Sequence, residues 1–289
     1  MKAFNVAVIH ESAPMVVAKA QAEMVERMDP GFWDAKYLRI FETLSKHELK
    51  PLGEYIAEMR QGDVPRKVHG ERYEQSGIKF IRAENLLPTG LDLTNLTYIS
   101  EAHYKRIERA SPGDRDLLIG RHGVASTGRV AVFLSERVGE KCNISSHLNV
   151  IRLKPSANSF YLSVYLKSRF GQAQIERFES GVGSTGIRFD QIESLLTPVM
   201  ERGIAQAIEV NYLVLTGYHY SAIDAKAQML QAQEDGNITL AEEYRDEYEH
   251  NLAIAETMLN DLIRQVEGII EGGRTEIEPV DRILEESQS

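Results

Sequence analysis

The sequence predicts an α+β protein: a loop-rich, mixed-sheet domain followed by long antiparallel or coiled-coil-like helices. Three observations predict it. Short runs rich in β-branched residues, broken by Gly, Pro, Asn and Asp, fill the stretch from Pro51 to Pro198, the pattern of strands separated by turn chemistry. Beyond Pro198 two long runs lack proline and carry apolar residues at steps of three and four, which keeps a seam facing a partner helix. The charge changes at the same place: residues 1–50, 51–200 and 201–289 carry net charges of 0, +3 and −13 within an overall −10. The acidity thus sits in the last third and leaves a slightly basic middle able to face phosphates. A bias of +3 alone does not identify a nucleic-acid binder.

Residues 1–50 are expected to form an N-terminal helical lead segment. MVVAKAQAEMVERM suits a short helix that ends at the turn signal Asp29-Pro30-Gly31. The following FWDAKYLRIFETLSKH places Tyr37, Ile40, Phe41 and Leu44 at i, i+3, i+4 and i+7, a docking helix, with Trp33 ahead of it as an anchor into a core. Residues 51–199 form the mixed-sheet domain. IKFIRAENL, DLLIG, RVAVFL and LNVIRLKP read as strands, and FYLSVYLKSRFGQAQIERF reads as one helix with Gly171 inside it.

Residues 200–273 are the helical region. Ile204, Ile208, Asn211, Leu215, Ala222 and Met229 lie near a seven-residue rhythm that Gly217, Tyr218 and Tyr220 disturb. The polar break EDGN separates this run from a second, with Leu252, Ala255, Leu259, Leu262, Val266 and Ile269 on its seam. A helical hairpin follows, either closing the same domain or forming an arm that packs against another subunit. Residues 274–289 read as a polar tail, frayed or weakly helical.

The lone cysteine, Cys142, excludes an intramolecular disulfide and a multi-cysteine zinc site. It reads as a small semi-buried side chain. Its solitude fits a reducing cytosol, and no run approaches the length of a membrane span, so a soluble cytoplasmic protein without membrane contact is expected. Enzyme chemistry finds little support. The eight histidines form no HExxH or His-Cys cluster. Ser145, Ser146 and His147 are adjacent but belong to no GxSxG elbow, and His147 reads as a packed or hydrogen-bonded residue beside LNVIRL. Asp114, Asp116 and Glu84 would have to converge in space to hold a catalytic metal, and their spacing does not predict it.

Three loops carry candidate binding groups. DLLIGRHGVASTGRVA has glycines at 120, 123 and 128 but no Gly-Lys-Ser/Thr before a helix, so it is not a phosphate-gripping nucleotide loop. It is either an ordinary β-turn or a strand-loop-strand unit presenting Arg121, His122, Ser126, Thr127 and Arg129; arginine reads guanine with two hydrogen bonds, and Ser or Thr reaches base edges or phosphates. ESGVGSTGIRF offers Gly183, Ser184, Thr185 and Arg188 on a pliable loop whose amides can point at an anion; a plain connecting loop explains it equally. Arg82 and Asn85 close a strand end and suit guanine and adenine, although pairing of Arg82 with Glu84 accounts for the arginine as well. Lys167 and Arg169 on the helix could add phosphate contacts.

In combination these pieces resemble the DNA-specificity subunits of type I restriction-modification systems and the related recognition domains attached to N6-adenine methyltransferases. The resemblance runs through MDPGFWDAKYL (28–38), LKPLGEYI (49–56), GIKFIRAENL (77–86), DLLIGRHGVASTGRVAVF (116–133), NISSHLNVIRLKP (143–155) and YLSVYLKSRFGQAQIERFESGVGSTGIRFDQIESLLTPV (161–199), in the family's order. It implies a target-recognition domain that reads part of a split double-stranded DNA site through the loops around 82–90, 120–129 and 181–188. It implies a spacer and docking element beyond Pro198, no cofactor of its own, and as partners an adenine methyltransferase subunit and, in a larger assembly, a restriction/translocase subunit. With one recognition domain and one helical region the chain looks like a half-subunit, so self-association through the C-terminal helices is expected, two copies reading a symmetric site. The family's PLPPLxEQ entrance to the helix is here LLTPVMERGIAQ. The alternative function is a protein-interaction adaptor derived from such a subunit, without specific DNA binding.

Overall fold

A computed structural model describes residues 35–123, 126–139, 141–179 and 186–286. The expected short helix, the Asp29-Pro30-Gly31 turn and Trp33 lie outside the described residues. In chain order the elements are α1 (Ala35–Leu44), β1 (Leu49–Pro51), β2 (Ile56–Gln61), β3 (Tyr73–Glu74), β4 (Ile78–Ile81), β5 (Thr97–Ile99), α2 (Glu101–Arg106), β6 (Leu117–Gly120), β7 (Val130–Val132), α3 (Ser135–Val138), β8 (Cys142–Ile144), β9 (Leu148–Leu153), α4 (Ser159–Lys167), α5 (Arg169–Glu179), α6 (Phe189–Glu193), β10 (Leu196–Pro198), α7 (Arg202–Glu234), α8 (Ile238–Ile270) and α9 (Arg282–Glu286). The architecture is α+β, with mixed sheets and a long antiparallel helix pair.

The central sheet runs β2-β9-β6-β7, antiparallel throughout. Alternation along its strands divides its side chains between two cores. Leu118, Ala131 and Val150 face one way, into a cluster with Ile81, Leu86, Leu91, Phe133 and Ile144. Leu117, Ile119, Val130, Val132 and Ile151 face the other way, into the helical core. A strand covered on both faces has no use for polar alternation, hence the continuous apolar run LLI in β6.

The second sheet, β3-β5-β4-β8, closes the first of these cores, with β4 and β8 parallel. Cys142 begins β8, fully buried, and burial pushes its thiol up to about 12. Beside this sheet Arg106 grips Glu71 and Asp63 (2.7 and 2.8 Å), with His103 2.9 Å from Glu71. The two-stranded β1-β10 ribbon sets Leu49 opposite Pro198, so the domain begins and ends at one point.

The apolar face expected of α1 is observed: Tyr37 and Leu44 are buried, and the helix packs on α5 with Arg177 over the Phe41 ring. The single helix expected over 160–178 is instead two. Ser168 is extended (ψ 162°) and ends α4. Its hydroxyl donates to the Tyr165 carbonyl (2.6 Å), which also accepts the Ser168 amide (3.0 Å) at the end of the helix. Gly171 permits the fold-back, because a Cβ there would stand 2.5 Å from the Tyr165 carbonyl oxygen.

Helices α7 and α8 form the expected hairpin. Gly236 (φ 72°) turns the chain at the break, and the Asn237 side chain caps α8 by accepting from the Leu240 amide (3.2 Å). Near the domain, Ile208, Tyr212, Leu215, Tyr220, Met258, Leu259, Leu262 and Val266 join the helical core together with α4. The aromatic residue Tyr220 therefore anchors the rhythm it was expected to disturb. Between residues 227 and 254 only Ala232 and Ala241 are buried. The hairpin thus both closes the domain and extends beyond it as a thin pair of helices.

The tail is less loose than its polarity suggests. Val280 is fully buried and donates to Asn211 Oδ1 (2.7 Å), and the Gln265 amide holds both backbone groups of Glu278 (2.7 and 3.2 Å). No helix among the described residues is long and apolar enough to cross a membrane.

Candidate nucleic-acid interface

Antiparallel pairing of β6 with β9 places their connecting loops side by side. The pairing continues past the strand end, where the Arg121 amide donates to the His147 carbonyl (2.9 Å). The Arg121 carbonyl then accepts from the Ile187 amide (2.8 Å), and His122 bridges Gly186. That approach requires glycine at 186: a Cβ there would stand 2.6 Å from the Arg121 carbonyl oxygen and 2.7 Å from His122 Nδ1. Gly120 is required for the same reason, since a Cβ would collide with the Ser126 carbonyl oxygen. Arg129 reaches the third segment, Nη1 donating to the Leu86 carbonyl (3.2 Å). The loops around 82–90, 120–129 and 186–188, separated by up to a hundred residues in sequence, are therefore neighbours in space.

Their side chains divide into two groups. Arg121 is half-buried, and its Nε is buried without a hydrogen-bond partner. His122 and His147 are both exposed, with ring centroids 5.8 Å apart, which corrects the expectation that His147 is packed away. Arg129 is exposed, and Arg188 pairs with Asp190 (2.8 Å) at the surface. Ser126 and Thr127 turn their hydroxyls inward, to the carbonyls of His122 (2.7 Å) and Gly123 (3.0 Å). They shape the turn. Gly183, Ser184 and Thr185 lie outside the described residues.

Asn85 needs correction. It is buried, its Oδ1 accepts from the Arg82 amide (2.8 Å), and its Nδ2 donates to the carbonyls of Asp92 (3.2 Å) and Asn95 (3.1 Å). With its amide fully engaged it organises the 82–95 loop and offers no edge to a base. Arg82 pairs with Glu84, as the sequence allowed.

Lys167 and Arg169 are also elsewhere. Lys167 Nζ contacts Ser163 Oγ (2.9 Å) and Tyr212 Oη (3.1 Å). Arg169 pairs with Glu267 and Glu271 of α8, its amide donating to Glu267 (2.7 Å). Both fasten the hairpin to the domain, a use that the sequence does not signal because their partners on α7 and α8 lie 45 to 102 residues away.

The 82–95 loop is also fastened to α7. His219 Nε2 lies 3.1 Å from the Leu91 carbonyl and Nδ1 lies 2.8 Å from Thr89 Oγ1. A carbonyl can only accept, so Nε2 carries the proton and Nδ1 accepts from the threonine: the neutral imidazole satisfies both. Burial pushes His219 down to about 4, in keeping with this state. Gly90 lies against the imidazole, and Lys226 closes on Asp92 (2.6 Å).

Asn149 is the residue that sequence reasoning missed. It sits opposite Ile119, fully buried, and neither its Nδ2 nor its Oδ1 has a partner. By strand alternation it shares a sheet face with Arg121, so orphaned buried polar atoms gather at this end of the sheet. An asparagine one step into the apolar strand LNVIRL was the available signal. No group of three His, Cys, Asp or Glu able to hold a metal occurs among the described residues. Asp114, Asp116 and Glu84 do not converge: Asp116 holds Arg152 (2.9 Å), Asp114 caps Ser135 (3.0 Å) and Glu84 holds Arg82.

No protein-family model and no curated protein matches this chain. Solved structures do. A chain from a study of complex assembly and conformational transition of the type I R-M system is similar over 80% of this chain and 53% of its own length, with 15% identity and a TM-score of 0.40. The type I restriction-modification S subunit of M. genitalium matches over 65% of this chain and 42% of its own (10% identity, TM-score 0.44). The HsdS subunit of Thermoanaerobacter tengcongensis matches over 81% and 52% (15% identity, TM-score 0.40). The chain spans about half the length of these structures. Likeness of this degree assigns neither ligand nor partner.

Proposed function

We propose that this chain is a non-catalytic DNA-specificity subunit that reads double-stranded DNA and directs a partner N6-adenine methyltransferase, with a restriction/translocase subunit as a further possible partner. The observation that carries the reading is the convergence of three loops around Arg121, whose buried Nε has no partner, flanked by exposed Arg129 and the His122–His147 pair. A buried guanidinium N–H left unpaired costs stability unless a ligand completes it, and a bidentate guanine edge or a phosphate does so. Residues 51–199 act as the reading unit and residues 200–273 as spacer and docking element. The chain works in the cytoplasm, takes no cofactor of its own, and leaves extrusion and methylation of the adenine to the partner.

The test is co-purification with a candidate adenine methyltransferase, followed by genome-wide mapping of N6-methyladenine with and without this chain. Methylation at one split motif that depends on the chain, and that Arg121→Ala abolishes, supports the proposal. A stable complex without motif-dependent methylation overturns it in favour of the protein adaptor. The net charge of −13 beyond residue 200 favours that second reading, because acidic helices suit a basic protein better than they suit DNA.

A further inference from the structure

The net charge of +3 over residues 51–200 has a local origin. Residues 60–72 (RQGDVPRKVHGER) and 105–109 (KRIER) hold seven basic and three acidic side chains, a net +4, so the rest of that stretch is −1. The fold brings the two segments together: a surface pocket is lined by Arg60, Arg66, Arg106 and Arg109 around Gln61 and Gly62. Beyond the pocket the chain forms a closed finger. Arg66 and Glu71 pinch its neck, the Arg66 amide donating to Glu71 Oε2 (3.0 Å) and the Glu71 amide to the Arg66 carbonyl (3.2 Å). The tip is a single tight turn, Lys67–His69, that ends at Gly70 with a φ of 69°, a conformation suited to glycine. Arg106 is the post at the foot: Nε and Nη2 donate to the two oxygens of Glu71 (2.7 and 2.8 Å) and Nη1 to Asp63 (2.8 Å). Both carboxylates of the finger are thereby engaged at its base. Lys67, His69 and Arg72 are exposed, as is Val68 at the tip, to 85%. Arg60 and Arg72 pair at the surface with Glu58 and Glu74 (2.7 and 3.6 Å), whereas neither Lys67 nor Arg109 has an ion-pair partner among the described residues.

The finger adjoins the candidate interface at both of its ends. Where it begins, Gln61 Nε2 donates to the Ser146 carbonyl (3.0 Å), next to His147, and Gly62 lies so close to β8 that a Cβ would stand 2.0 Å from the Ile144 carbonyl oxygen. Where it ends, the Tyr73 ring lies 5.9 Å from that of Phe80, two residues before Arg82.

We propose that the finger and the arginine pocket at its foot are a sequence-independent clamp on the sugar-phosphate backbone of duplex DNA, with Lys67 and Arg109 each holding a phosphate beside the bases read from the Arg121 loop. The proposal rests on the reading that the chain binds duplex DNA, and adds a face and a role to it. Phosphate contacts fix the register of a protein on the duplex, while base contacts specify the site. A rigid neck that presents cations in advance lowers the ordering cost of binding. Exposed cations spread over a finger and a pocket suit the successive phosphates of a polymer, because a small free anion needs donors that converge on one point.

Salt-dependent binding of the full chain to mixed-sequence duplexes of about 30 base pairs tests this, since each phosphate contact contributes about 0.9 to the slope of log affinity against log salt. Lys67→Ala and Arg109→Ala should each lower that slope by about one and weaken binding about fivefold at about 0.15 M salt, equally on every duplex. Val68→Asp, which sets a negative charge on the exposed tip, should weaken binding as well. Melting temperatures should be unchanged in all three. Arg245→Ala, the same change of charge on the hairpin, should alter neither slope nor affinity. Unchanged slopes in Lys67→Ala and Arg109→Ala overturn the clamp, and if Arg121→Ala still abolishes motif-dependent methylation the functional reading survives without it. Lowered slopes with no motif-dependent methylation leave the clamp standing and remove the specificity reading. Losses confined to particular sequences overturn the sequence-independent role, and a chain that binds no duplex overturns both. Titration with inorganic phosphate separates the remaining source of the same chemistry: tight binding that Lys67→Ala or Arg109→Ala abolishes, without any effect on DNA, makes the face a small-anion site and overturns the proposal. Loss of a co-purifying methyltransferase in these variants, with DNA affinity intact, makes it a protein contact and overturns it too.

Discussion

The loop at 82–95 and the loop at 120–129 have much in common in sequence: each follows a strand, and each carries arginine, glycine and small polar residues. In the folded chain they do opposite things. The first turns its polar groups inward, with Asn85 holding three backbone partners and Thr89, Gly90 and Asp92 fastened to α7. The second is held by its backbone and its two hydroxyls, leaving Arg121, His122 and Arg129 at the surface or unpaired. Polar residues at a strand end can therefore build a platform or an exposed edge. What separates the two is whether another element passes within hydrogen-bonding distance.

Three predictions bear on that contrast. The largest effect belongs to the platform. Asn85→Leu leaves one amide and two carbonyls without partners and should cost about 4 kcal/mol, lowering the melting temperature by roughly 10 °C. A shift below 2 °C would move Asn85 to the side of the reading edge.

Next is acid sensitivity. His219 is neutral in the fold down to about pH 4, whereas in the unfolded chain it binds a proton below about 6.5. The unfolded state therefore binds more protons between these values, and stability must fall as pH drops from about 6.5 to 4, by roughly 3 kcal/mol. Arg106 holds Glu71 well below the usual carboxylate range; its contribution is present above the unfolded value and is lost only at lower pH, as Glu71 itself protonates. Denaturant midpoints at pH 7, 5.5 and 4.5 should fall in order for the native chain, and the decline should shrink in His219→Gln.

The smallest effect on stability belongs to the edge. Arg121→Ala and Arg129→Ala should each change unfolding free energy by no more than about 0.5 kcal/mol, while weakening specific DNA binding by about 1–3 kcal/mol, roughly five- to 150-fold. Thermal melts and binding titrations on the same preparations separate the two quantities. A large stability loss at Arg121 would mean that its Nε is satisfied inside the fold.

Much of the fold was legible because long periodic runs and doubly buried strands leave plain patterns. The strands at 117–120, 130–132 and 148–153, the face of α1 and the hairpin with its Gly236–Asn237 turn follow directly from residue types. What stayed hidden depends on distant partners. The three-residue strand β8 exists because β4 lies beside it, 63 residues earlier, and the break at Ser168 depends on Gly171 fitting against the end of α4. Of the candidate interface, the residue types single out the loops, but not which of their side chains face outward. Lys167 and Arg169 resembled phosphate ligands because isolated cations all do, until the hydroxyls of Ser163 and Tyr212 and the carboxylates of Glu267 and Glu271 are placed beside them.

The β1-β10 ribbon, which sets Leu49 opposite Pro198, makes the intervening segment a cassette. Its two ends are adjacent, so a different domain that keeps the surfaces packed on α1 and α7 can be spliced between those helices. Under the function proposed above, exchange of that single stretch would give the same scaffold a new address on DNA, and the domain surfaces to be kept include those committed to the hairpin: Lys167, Arg169, Thr89 and Asp92.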